Sequence, residues 1–102
     1  MVAECESTIR LTIPAVRIAV AKLLKKKYKM GQQEIADRMG ITQVAVHKYL
    51  NGKYSREIGR IVTAVKSHGT DKKIAMVVAS GGTISSINRD IDRAAAAYAK
   101  AT

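Results

Sequence analysis

The residues Gln32 to Asn51, QQEIADRMGITQVAVHKYLN, constrain this chain more than any others, because they read as two short helices hinged at a single glycine. Ile35, Ala36, Met39, Ile41, Val46, Tyr49 and Leu50 recur at helical spacing on either side of Gly40. A helix commonly ends on a residue in the left-handed conformation, which costs glycine nothing, and Thr42 two positions later suits the N-cap of the next helix. Two helices then meet at a fixed angle, and Ala36, one turn before the glycine, supplies the small side chain that a close crossing needs. This is the geometry of a helix-turn-helix.

The second helix, Thr42 to Leu50, is expected to bury Val46, Tyr49 and Leu50 and to turn Gln43, Val44, His47 and Lys48 outward. That outward set suits the edges of base pairs. Gln pairs with the N6 and N7 edge of adenine, Lys and His donate to guanine O6 or N7, and Val44 fits a thymine methyl. Asn51-Gly52-Lys53-Tyr54-Ser55-Arg56 follows, a turn with two cations and hydroxyls of the kind that grips phosphate.

Gln32, Glu34, Ala36, Gly40, Ile41, Thr42, Gln43, Val46 and Asn51-Gly52-Lys53 resemble the pattern of the phage-repressor helix-turn-helix family, the Cro and Xre-like type. Cys5-Glu6 and Ile13-Pro14-Ala15-Val16-Arg17 look like the opening of a group of archaeal regulators, some of which join this domain to a thiamine-phosphate-synthase-like one. The resemblance covers residues 5 to 56 and is most specific across the helix-turn-helix. It implies a lambda-repressor-like all-α fold, sequence-specific binding of double-stranded DNA and a role in transcription. Carried over residue by residue, it implies that Gln32 touches phosphate, that Gln43 and Val44 face base edges and that Lys53 lies against the DNA backbone. The third outward reading position is Lys48 with His47 beside it, which departs from the family pattern, so no base preference carries over. Nothing in residues 57 to 102 resembles a known family.

Charge agrees with a polyanionic partner. The formal net charge is +10, and it is concentrated: Arg10 to Arg56 hold eleven Lys or Arg against Glu34 and Asp37, a balance of +9, while residues 57 to 102 carry +3. Such a field is what counterion release from phosphates requires, and it predicts steep salt dependence. Lys25, Lys26, Lys27 and Lys29 also have a structural explanation, since cations at a helix carboxyl end are favoured by its dipole.

At 102 residues the chain is expected to form one compact domain, a helix-turn-helix region with an amino-terminal arm over 1–56 and a helical, dimer-forming region over 57–102. Apolar residues make up 47% without any Trp or Phe, so the core must come from Ala, Val, Ile, Leu and Met, which suits packed helices and favours shared burial with a second subunit. One cysteine, Cys5, rules out an internal disulfide and points to a reducing, cytoplasmic setting. Neither His47 nor His68 fits a ligand spacing, so no metal or cofactor is expected. MVAECESTIR lacks the apolar region of a signal peptide, and no apolar run is long enough to cross a bilayer.

Elsewhere the pattern divides the chain into further elements. TIRLTI, residues 8 to 13, alternates polar and apolar and reads as a short strand or extended arm with Ile9, Leu11 and Ile13 on one side. Pro14 holds Ile13 out of helical conformation, and the arm either pairs with a second subunit or lies on its own helices. The first helix is expected from Pro14 to Tyr28, burying Val16, Ala19, Val20, Leu23 and Leu24. Ser55 or Tyr54 starts a helix with Ile58, Ile61, Val62 and Val65 on one face, ending at His68-Gly69. Asp71 caps a short helix containing Ile74, Met76, Val77 and Val78. Thr83 caps the last, whose Ile84, Ile87, Ile91, Ala94 or Ala95, and Tyr98 form a short heptad-like seam for either the core or a second subunit. Ser80-Gly81-Gly82-Thr83 reads as an interhelical turn rather than an anion cradle.

The expected function is therefore site-specific binding of a pseudo-palindromic operator by a homodimer, with Gln32, Thr42, Gln43, Val44, His47, Lys48, Asn51, Lys53 and Arg56 at the DNA. Two other classes share parts of the pattern: a chromatin-like or RNA-associated basic protein without sequence choice, and an antitoxin or adaptor that binds a protein partner. An enzyme is not expected, for the sequence has no paired carboxylates, no nucleophile with its base and no cofactor loop.

Overall fold

The computed structural model describes residues 2–101, and side chains over residues 11–97. It holds six helices: α1 Val2–Tyr28, α2 Gln32–Met39, α3 Gln43–Leu50, α4 Arg56–His68, α5 Thr70–Ala79 and α6 Ile84–Ala101. The all-α, multi-helix class expected from the sequence is what is found.

The spine is α1. Ala15, Val16, Ile18, Ala19, Val20, Ala21 and Leu24 are all buried, so this stretch is apolar around nearly its whole circumference, as befits a helix enclosed on all sides. It packs against each of the other five helices. One core runs through the molecule: Ile35, Ala36, Met39 and Val46 from the helix-turn-helix join Val62, Val65, Ile74, Val78, Ile87 and Ile91 around that spine.

Two expectations about local structure are corrected. The first is the extended arm over 8–13: α1 is continuous from Val2 and carries Pro14 in its interior. Proline removes one backbone hydrogen bond and disfavours helix in the preceding residue. Against this, the helical path buries Thr12 to 1% exposure and half-buries Leu11 and Ile13, and packing outweighs a local preference. Over six residues an alternating pattern is also compatible with helical i, i+4 spacing, as the positions of Ile9 and Ile13 in the sequence illustrate. The side chains of Cys5, Ile9 and Tyr98 lie outside the described residues.

The second correction concerns Asp71, which does not cap α5. Gly69 ends α4 in a left-handed conformation (φ 73°) and is at the same time the residue before α5. That single-residue junction places Asp71 inside the first turn, where a carboxylate still favours the dipole, and packing leaves it only 4% exposed.

The other punctuation follows the sequence. Ser55 Oγ accepts from the Ile58 N–H at 3.2 Å and Thr83 Oγ1 from the Ser86 N–H at 3.1 Å. The α6 seam turns inward, with Ile87, Ile91 and Ala95 buried and Ile84 partly exposed at its start. Met30-Gly31 links α1 to α2, helped by Lys29 in left-handed conformation (φ 60°) and by Met30 N–H donating to the Leu24 carbonyl at 3.2 Å. Among the described residues no helix is long and apolar enough to cross a membrane.

Candidate nucleic-acid interface

Gly40 is the C-cap of α2 at φ 70° and ψ 35°, and its N–H returns to the Ala36 carbonyl. Thr42 then takes extended geometry as N-cap of α3, its Oγ1 accepting from the Ala45 N–H at 3.1 Å. Between these caps the direction of the chain is set. A Cβ at position 40 would stand 2.7 Å from Ile84 Cγ2, so the start of α6 rests directly on the turn. Ile35, Ala36 and Met39 of α2 and Val46 of α3 are buried behind it.

On the other side of α3, Gln43, Val44, His47 and Lys48 are all exposed. Residues i, i+1, i+4 and i+5 share one face of a helix, and Asn51 extends it by another turn. Val44 keeps 65% of its surface open to solvent, an apolar group on an otherwise polar face. The expected inward set is buried less evenly: Val46 is enclosed, while Tyr49 and Leu50 are half-buried against the core.

The remaining candidates gather around this face. Gln32, at the start of α2, has its Nε2 3.4 Å from His47 Nδ1. Asn51 Nδ2 lies 3.3 Å from the same nitrogen and donates to the His47 carbonyl at 2.7 Å. Three residues singled out separately thus form one cluster, with His47 held between two amides. Thr42 spends its hydroxyl on the cap. Lys53 and Arg56 are exposed on and just after the turn that follows α3, which is closed by Lys53 N–H donating to the Lys48 carbonyl at 2.9 Å.

Two supports of this interface have no signature in the sequence. Lys22 Nζ donates to the Tyr54 hydroxyl at 2.6 Å and sits 5.1 Å from the ring centroid, pinning the turn after α3 to α1. Arg38 pairs its Nε with Glu34 at 3.1 Å and donates from Nη1 to the carbonyls of Val78 and Ala79 at 3.1 and 3.3 Å, so α2 supplies the cap for the end of α5.

Lys25, Lys26, Lys27, Lys29, Lys48, Lys53 and Arg56 are exposed, and Glu34–Arg38 is the one ion pair among the described residues. Those cations are therefore not neutralised by protein carboxylates at contact distance, and their field is available to a polyanion. Compared with known proteins, the chain matches no family model, no curated protein and no solved structure.

Proposed function

We propose that this chain is a sequence-specific double-stranded DNA-binding protein and transcriptional regulator, akin to the Cro and Xre-like helix-turn-helix family, with α3 as its recognition helix. The observation that carries this reading is the open face of Gln43, Val44, His47 and Lys48 on a helix braced from behind by a rigid capped turn. Gln43, Val44 and Lys48 read base edges. His47, flanked by Gln32 and Asn51, adds a further group to that face, and Gln32 touches phosphate. Lys53 and Arg56 add charge on the same side.

One recognition helix offers too little discrimination for a genome, since each good bidentate contact is worth ~1–3 kcal/mol. The working form in this proposal is a cytoplasmic homodimer on a pseudo-palindrome, its two α3 helices about 34 Å apart in successive major grooves. With Ile87, Ile91 and Ala95 of α6 engaged in the core, pairing would use the remaining surface of the region after Arg56.

Selection of bound sequences from a random DNA pool tests this directly. A symmetric motif with a spacing near one helical turn is expected. Equal recovery of unrelated sequences would instead identify a non-specific basic protein. The division of labour is tested by two variants. Gln43→Ala should relax preference at one base pair per half-site with the salt slope unchanged, whereas Lys53→Ala should weaken all duplexes alike and flatten the salt dependence by about one unit.

A further inference from the structure

A groove of about 680 Å³ lies where the second half of α1, the end of α3 and the α4–α5 junction meet, away from the exposed face of α3. Five of its lining residues are lysines: Lys22, Lys25 and Lys26 on α1, Lys66 at the end of α4, and Lys72 at the start of α5. Leu23 and Leu50 supply an apolar wall. Asp71 also lines it. This carboxylate is 4% exposed, and its Oδ1 is buried with no hydrogen-bond partner, although lysines surround the groove and none of them forms an ion pair with it.

The combination is selective. Like charges on flexible stems repel one another and gain from a bound anion, so the lysines by themselves would accept any phosphate. A buried acceptor left without a donor carries a desolvation cost that a donor relieves. A plain polyanion worsens the position of Asp71, whereas a ligand with phosphate at one end and N–H groups at the other satisfies both. Between those ends it needs a flat apolar body to meet Leu23 and Leu50, and the volume is that of a small-molecule site.

We propose that this groove binds a nucleotide, with phosphates on the exposed Lys25, Lys26, Lys66 and Lys72, the base against Leu23 and Leu50, and a base N–H donating to Asp71. Guanine fits best, because its imino and amino N–H groups stand side by side. Since Oδ1 is shielded from solvent, the ligand must displace whatever covers it to reach the acceptor. The groove takes none of the exposed α3 residues Gln43, Val44, His47 and Lys48, although Leu50 and the Lys22–Tyr54 contact tie it to the turn after that helix.

Isothermal titration of the full chain with guanosine 5′-diphosphate and, separately, with pyrophosphate tests the assignment. The nucleotide should bind saturably at one site per chain and at least about tenfold more tightly than pyrophosphate, because only it satisfies the buried acceptor. Lys26→Gln combined with Lys66→Gln, both exposed positions, should weaken both ligands. Asp71→Asn should remove most of the preference for the nucleotide while pyrophosphate binds as well or better. Circular dichroism checks that each variant folds, and the lysine pair decides if Asp71→Asn does not. Equal affinity for the two ligands in the unaltered chain, absence of saturable binding, or indifference to the lysine substitutions would each overturn the proposal.

Discussion

The two sides of the helix-turn-helix obey different physics. Its inner side is enclosed and over-determined: Ile35, Ala36, Met39 and Val46 are buried, Ile84 rests on Gly40, and Arg38 reaches across to the end of α5. Its outer side is open, with Gln43, Val44, His47 and Lys48 exposed and His47 in contact with the amides of Gln32 and Asn51. Stability resides in one face and contact chemistry in the other. The outer residues are thus free to vary without cost to the fold.

Substitutions can break or sharpen that contrast. The largest effect belongs to Ile35→Ala, which empties a fully buried position and should lower unfolding free energy by about 2–5 kcal/mol in chemical denaturation. Gly40→Ala comes next, at about 1–2 kcal/mol, because alanine resists the left-handed backbone and meets Ile84. The same change in an Ile84→Ala background should cost less, and a double-mutant cycle measures the coupling. Thr42→Ala, which removes the cap of α3, should cost about 1 kcal/mol. Smallest of all are Val44→Ala and Lys48→Ala, each expected within about 0.5 kcal/mol of the parent in stability while altering duplex selection. If Val44→Ala destabilised the fold as much as Thr42→Ala, the separation of faces would be wrong.

What was legible in the sequence was local. Gly40, Thr42, Ser55, Gly69 and Thr83 mark helix ends through bonds spanning at most a few residues, and each stands where its type predicts. The open face of α3 followed from its period. The failures came where distant packing overrode a local rule. Pro14 signals a boundary, yet enclosing Thr12 and its neighbours carries the helix through it. Asp71 has the chemistry of a cap, but the one-residue turn at Gly69 moved it inside the helix. Lys22 with Tyr54 and Arg38 with Val78 are separated by 32 and 40 residues, and nothing in the spacing of either pair announces the contact. The cluster of Gln32, His47 and Asn51 lay between: its members were recognisable one by one, their mutual contact was not.

The packing of α6 onto α1, and of Ile84 onto the Gly40 turn, has a consequence for how this molecule comes into being. In chain order α1 precedes α6, the eighteen-residue helix that covers part of it. Until α6 has been made, the apolar circumference of the nascent spine has no complete shelter, and closure of the core waits on that helix. A chain cut short before Ile84 therefore leaves one side of α1 without its cover.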